Sequence, residues 1–234
     1  MATAAVVIIG NEILSGKFAD ENTPYLVGRL RALGVDLKRI LVIPDEVDVI
    51  AETIRDSSVA FDWVLSTGGV GPTHDDVTFP GIAQAFGLGL ARHDTLAGII
   101  RDKLGERVNE AAFRMAEIPV GAALWWDGDV IYPLVTVRNV LVFPGVPSLV
   151  RLKFEAIAHR LAGEPVASAR LTTHADEPAI ADDLTHAAGR WPTVAIGSYP
   201  RFDESPRVVI VTLEGRDADA LGACRAWLKA RLPP

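Results

Sequence analysis

Residues 64–78 read Val-Leu-Ser-Thr-Gly-Gly-Val-Gly-Pro-Thr-His-Asp-Asp-Val-Thr. The apolar run that starts at Trp63 is the end of a buried strand, and Gly68, Gly69 and Gly71 let the following backbone bend tightly without Cβ interference. Successive N–H groups in such a turn form an anion nest. Asp75 and Asp76 follow directly, where a bound oxyanion would be repelled unless a cation or proton lies between. That conflict points to a metal-bridged phosphate. The plainer reading is a strand-to-loop turn with Asp75 or Asp76 capping a helix before Val77-Thr78-Phe79. Pro72 stiffens the turn and Thr73 and Thr78 add hydroxyl donors, which favours a site.

Outward from this turn the chain alternates strand and helix. Ala2 to Ile9 reads as a strand ending at Gly10, and Asn22-Thr23-Pro24 offers a cap and a proline to a helix running to Gly34. Leu37 to Ile43 is a second strand, Val47 to Ser57 a helix and Phe61 to Ser66 a third strand. Helices are expected at Pro80 to Phe86 and Asp94 to Leu104, β-structure across Val120 to Val137, a last strand at Asn139 to Phe143 and a closing helix at Ser148 to Leu161. The strands are continuous apolar runs, which indicates burial on both faces. The fold class expected is therefore α/β, a three-layer arrangement around a parallel or mixed sheet, spanning residues 1–163. Gly163-Glu164-Pro165 reads as a boundary, and residues 166–234 follow as β-α-β-β-α, a small C-terminal α+β domain.

In open parallel sheets ligands bind beyond the carboxyl ends of the strands. Glu12, Asp45 and the segment Thr67 to Asp76 all fall just past predicted strand ends, so they share one rim.

Composition narrows the partners. At 234 residues and 49% hydrophobic content the chain buries one substantial core and a small second one. A net charge of −7 argues against nucleic acid and against an anionic membrane surface. No segment approaches the roughly 20 apolar residues needed to cross a bilayer. The single cysteine, Cys224, excludes an internal disulfide and a cysteine-based zinc cluster; set among Leu221, Trp227 and Leu228, it reads as a buried thiol, and a cytoplasmic location is expected.

The stretch Thr67 to Thr78 resembles the Thr-Gly-Gly-x-Gly-x-x-x-x-Asp-x-Thr signature of the molybdopterin-binding domain of molybdenum-cofactor biosynthesis proteins. Its form Gly-Gly-Val-Gly-Pro-Thr-His-Asp-Asp-Val-Thr is similar to the branch holding the competence/damage-inducible protein A family and the N-terminal module of eukaryotic FAD synthase. Ile9-Gly10-Asn11-Glu12-Ile13-Leu14-Ser15-Gly16 resembles the family's opening motif, Pro44-Asp45-Glu46 its acidic turn and Phe143-Pro144-Gly145-Val146-Pro147 its closing turn. Ala195-Ile196-Gly197-Ser198-Tyr199-Pro200 resembles the second segment of the FAD synthase module. The chain departs from the competence pattern at Asn11, at Leu149 and across residues 125–134, where Trp125-Trp126 opens a loop that is glycine- and asparagine-rich elsewhere.

The resemblance implies metal-dependent hydrolysis of a dinucleotide-type pyrophosphate, ADP-ribose or FAD. The alternative it leaves open is a molybdopterin-binding protein or molybdopterin adenylyltransferase, and a third is a binding module without turnover. The catalytic and metal-holding set expected is Asp76, Asp75 and Asp45, with Mg²⁺, Mn²⁺ or Co²⁺ as cofactor and K⁺ as a candidate second ion. The substrate-binding set is Gly10, Glu12, Thr67, Gly68, Gly69, Gly71, Pro72, Thr73, Thr78, Gly145 and Pro147. His74 is either an acid, base or phosphate donor or a solvent-facing bystander, and Arg114 and Lys17 are phosphate partners or ordinary surface cations. The partners expected are a small nucleotide or pterin ligand and, by resemblance, further copies of the chain in a dimer or trimer.

Overall fold

The computed structural model describes residues 2–127, 130–161, 163–164, 166–202 and 206–233. The chain divides into two compact units, Met1–Gly163 and Glu164–Pro234. Pro165 of the expected boundary, and Gly128 and Asp129 of the divergent loop, lie outside the described residues.

The first unit opens with β1 (Thr3–Ile9), α1 (Asn11–Leu14), α2 (Asn22–Ala32), β2 (Asp36–Ile43), α3 (Val47–Ala60) and β3 (Trp63–Thr67). It continues with α4 (Thr78–Phe86), β4 (Leu90–Arg92), α5 (Asp94–Leu104), α6 (Glu110–Phe113) and β5 (Glu117–Pro119), then β6 (Ala123–Trp125), β7 (Leu134–Val137), β8 (Val140–Phe143) and α7 (Pro147–Leu161). The sheet order is β2-β1-β3-β8-β7-β6, parallel from β2 through β8 and antiparallel over its last pairings.

Strand residues alternate between two cores. Val7, Ile9, Val64, Val140 and Val142 pack with Ile50 and Ile54 of α3, Ile82 of α4 and Leu96 of α5. Val6, Ile8, Leu65, Leu141 and Phe143 pack with Leu26 and Leu30 of α2 and Phe154 of α7. Burial on both faces is why these strands read as unbroken apolar runs, and the three-layer expectation holds. Each fully buried side chain of this size contributes about 2 kcal/mol of hydrophobic stabilisation. At the tight β7–β8 turn Arg138 takes φ 54°. Asn139 then donates through Nδ2 to the carbonyls of Ser58 (3.0 Å) and Phe61 (2.8 Å), fastening the end of α3 to the sheet.

Three local expectations need correction. The 120–137 stretch is less β-rich than expected: among its described residues only Ala123–Trp125 and Leu134–Val137 are strand, Ile131 is exposed, and the Tyr132 hydroxyl donates to the Met115 carbonyl at 2.6 Å. Asn22 does not cap α2. Asp20 Oδ1 accepts from the backbone N–H of Asn22 (2.9 Å) and of Thr23 (3.0 Å), while the Asn22 side chain donates to the Gly145 carbonyl at 2.9 Å. Neither Asp75 nor Asp76 caps α4, whose N-cap is Val77 without a side-chain bond.

The second unit contains β9 (Ala167–Thr173), α8 (Glu177–Arg190), β10 (Ala195–Arg201), β11 (Val208–Gly215) and α9 (Ala218–Lys229). Its antiparallel sheet runs β10-β11-β9 over a core of Ile180, Val211, Leu213, Leu221 and Leu228, with the Cys224 thiol fully buried among them. Asp217 caps α9 by accepting from the N–H groups of Asp219 and Ala220.

Candidate functional site

The three glycines after β3 are held by geometry. Gly68 and Gly69 take φ 101° and 62°, the left-handed region that favours glycine. A Cβ on Gly68 would meet the Ile9 carbonyl oxygen at 2.0 Å, so the turn passes against the end of β1 with no room for a side chain. Gly68 donates to the Phe143 carbonyl at 3.2 Å and Thr78 donates back to Gly69 at 3.0 Å, pinning both ends of the loop. The Thr78 hydroxyl, fully buried, adds a bond to the Gly68 carbonyl at 2.8 Å. Among the described residues no group accepts from the N–H of Gly69, Val70 or Gly71. These consecutive unused donors are the raw material of an anion nest.

Within the loop Asp76 is an organiser. Its Oδ2 accepts from the Thr73 N–H at 2.8 Å and from the Thr73 hydroxyl. A Cβ on Gly71 would stand 2.6 Å from the same oxygen, so the bare glycine is what lets the Asp76 carboxylate fold under the turn. Arg114 donates to the Pro72 carbonyl at 3.2 Å and braces the loop from outside. His74 projects into solvent with its side chain 95% exposed, beside an Asp75 that is itself largely exposed.

A pocket of about 490 Å³ lies along this rim, floored by Ile8, Ile9 and Thr67 and closed by Gly145 and Pro147. Every charged residue lining it is acidic: Glu12, Asp20, Glu21, Asp45, Asp75 and Asp76. Asp45 Oδ2 accepts from the Asn11 N–H at 2.7 Å. Its carboxyl pKa is nonetheless raised, first by burial and then by the nearby charges of Glu12, Asp75 and Asp76. Glu12 folds back over Gly10, where an added Cβ would meet its Oε1 at 2.6 Å. The rim therefore gathers Asp45, Asp75, Asp76 and Glu12 around the glycine turn.

Hard oxygen donors and an excess of negative charge that raises Asp45 fit a divalent cation in kind. Among the described residues, however, no three His, Cys, Asp or Glu side chains already converge as a metal site. Lys17 and Arg114 do not line the pocket. Trp125 packs edge-on to Trp63 with centroids 6.1 Å apart, which is a core role rather than a ring-stacking one.

A parallel sheet whose glycine turn faces an acidic rim is an arrangement with relatives. The chain belongs to the family described as probable molybdopterin binding domain, whose model matches residues 5–163. Residues 165–234 match the model described as FAD synthase, middle domain. Among similar proteins, one from Archaeoglobus fulgidus is 36% identical over 92% of this chain and 91% of its own length. A probable FAD synthase from Caenorhabditis briggsae is 34% identical over 98% of this chain, which spans 49% of that protein. The crystal structure of CinA from Thermoplasma acidophilum superposes with a TM-score of 0.63 at 28% identity, covering 69% of this chain and 99% of that one.

Proposed function

We propose that the rim pocket hydrolyses a dinucleotide-type pyrophosphate, with ADP-ribose and FAD as the first substrates to test, in a reaction that depends on a divalent cation. The observation that carries this reading is the pairing of a pocket whose charged lining is all acidic with a glycine turn whose backbone donors, among the described residues, are unused from Gly69 to Gly71. The donors suit phosphate oxygens, yet six acidic residues with no basic neighbour in the lining would repel a diphosphate that arrived without a cation.

In this reading the N–H of Gly69, which lines the pocket, leads the glycine turn in holding the diphosphate, and Asp45, Asp75 and Asp76 would hold the cation. When bound, such a cation supplies charge neutralisation and polarises phosphorus toward attack. Water adds to one phosphorus, the bridging P–O bond breaks, and the two phosphate monoesters leave, AMP being one of them. A rim carboxylate not engaged by the cation takes the proton from the attacking water. Glu12, which lies against Gly10 and lines the pocket, would hold either the cation or a hydroxyl or amine of the ligand.

The test is AMP release from ADP-ribose and from FAD with Mg²⁺, Mn²⁺ or Co²⁺ and K⁺ present, against an Asp45→Asn control. Metal-dependent AMP that is lost in the variant supports the reading; no AMP with any of the metals overturns it. The family match over residues 5–163 favours one second reading, pterin binding or adenylyl transfer to molybdopterin at the same pocket.

A further inference from the structure

A second cavity of the first unit has the opposite character. It encloses about 420 Å³ between α5 and α7 and is walled by Phe79, Ile99, Met115, Val135, Val142 and Leu152, among other apolar side chains. Among the described residues its charged lining is Lys103 and Lys153, with no aspartate or glutamate, in a chain whose net charge is −7. Lys153 is only 8% exposed. Its Nζ donates to the Pro133 carbonyl at 2.7 Å and sits 5.0 Å from the centre of the Tyr132 ring. Among the described residues the Pro133 carbonyl is the one acceptor for its three N–H donors, and no carboxylate pairs with the ammonium.

An unpaired buried ammonium is costly, and proteins keep one where an anion arrives to match it. The cavity volume falls in the range of small-molecule sites, which pair mostly apolar walls with a few polar groups. The rim carries exposed Ile131, Leu149 and Leu152, which extends the apolar surface outward. We propose that this cavity is a second ligand site, adjoining the acidic rim through Val70 of the glycine turn, that takes a small amphipathic anion: a carboxylate on an aromatic or short aliphatic body, with Lys153 pairing the carboxylate.

The test uses two fluorescent probes of similar body, anionic 8-anilino-1-naphthalenesulfonate and neutral N-phenyl-1-naphthylamine, with octanoate and 1-octanol as competitors. The intact chain should bind the anionic probe about tenfold tighter than the neutral one, the worth of one charge-assisted bond. Octanoate should displace it about tenfold better than octanol. Lys153→Met should remove both preferences while keeping the neutral probe, and Asp45→Asn should change neither. Equal affinity for the two probes, no binding of either, or an anion preference that survives in Lys153→Met overturns the proposal, as does probe release with rising protein concentration, the sign of a second copy covering the cavity. If Lys153→Met loses its circular-dichroism signature, Ile99→Trp, which fills the cavity without touching the amine, must weaken both probes.

Discussion

The backbone N–H of Asn11 donates to Asp45 Oδ2 at 2.7 Å, tying the turn after β1 to the turn after β2 at one edge of the acidic pocket. A bond of this kind lowers a carboxyl pKa, yet that of Asp45 is raised, because burial and the charges of Glu12, Asp75 and Asp76 outweigh it. The fold has thus concentrated like charge where its glycine turn offers donors. Such an arrangement costs stability in the empty protein and makes sense for a site that expects positive charge.

The first prediction follows from the sign of that shift. A carboxyl raised in the folded state is more protonated there than in the unfolded chain, so its contribution to stability is fully present below the ordinary aspartate value and is lost as pH rises through the folded one. Asp45→Asn keeps an acceptor for the Asn11 N–H and removes the charge. Its thermal midpoint should equal or exceed that of the parent at neutral pH, with the difference shrinking as pH falls toward 4, where the parent carboxyl is neutralised. A variant that melts well below the parent at pH 7 would show Asp45 to be a net stabiliser.

Gly68→Ala should be the most damaging single-methyl change in the first unit. The position combines φ 101° with 2.0 Å from an added Cβ to the Ile9 carbonyl oxygen, and backbone cannot step aside as a flexible side chain can. A loss of about 3 kcal/mol or more in urea unfolding is expected. Gly145→Ala, whose Cβ would meet Gly68 Cα at an ordinary 3.5 Å, is the contrast and should cost far less.

The order of strands and helices in the first unit was legible because buried parallel strands advertise themselves as unbroken apolar runs and Gly10, Gly34 and Gly68 punctuate them. β4 and β5 were missed: the residues of β4 are all exposed, so Leu90–Arg92 carries neither alternation nor an apolar run, and its pairing with Glu117–Pro119 is decided at long range. At the site, the glycine turn and its acidic neighbours could be read from residue types. Two features could not. Asn22 reads as a helix cap, but a local sequence cannot say that its amide reaches Gly145, and that Asp20 does the capping instead. Lys153 sits in a helical pattern where a lysine reads as solvated, and only the packing of Pro133 and Tyr132 over it reveals the buried amine.

Asp76 separates loop building from chemistry. Asp76→Ala removes the acceptor for Thr73 and frees the turn, which should cost about 1–2 kcal/mol and blunt any ligand binding through disorder of the loop. Asp76→Asn keeps an oxygen for the Thr73 N–H and should retain stability within about 0.5 kcal/mol of the parent. If Asp76 holds a cation, metal-dependent AMP release falls in both variants; if it only shapes the loop, Asp76→Asn stays active. Parallel melting and AMP assays on the pair distinguish the roles.

Lys153 gives the last prediction, and its sign is opposite to that of Asp45. Burial lowers the amine from the ordinary lysine value of 10.5 to about 8. Between those two values the unfolded chain still holds the proton that the folded chain has released, so folding stability rises with pH across the window. Below pH 8 both states are protonated and the contribution is flat. Relative to Lys153→Met, the parent should therefore gain up to about 3 kcal/mol as pH is raised from about 8 to about 10.5, measured by urea unfolding of both proteins at each pH. At neutral pH the variant loses the bond to the Pro133 carbonyl but no longer buries an unpaired ammonium, and the two effects, each of a few kcal/mol, nearly cancel. A difference between the two proteins that stays constant from pH 7 to 10.5 would mean that the amine is solvated and at its ordinary value.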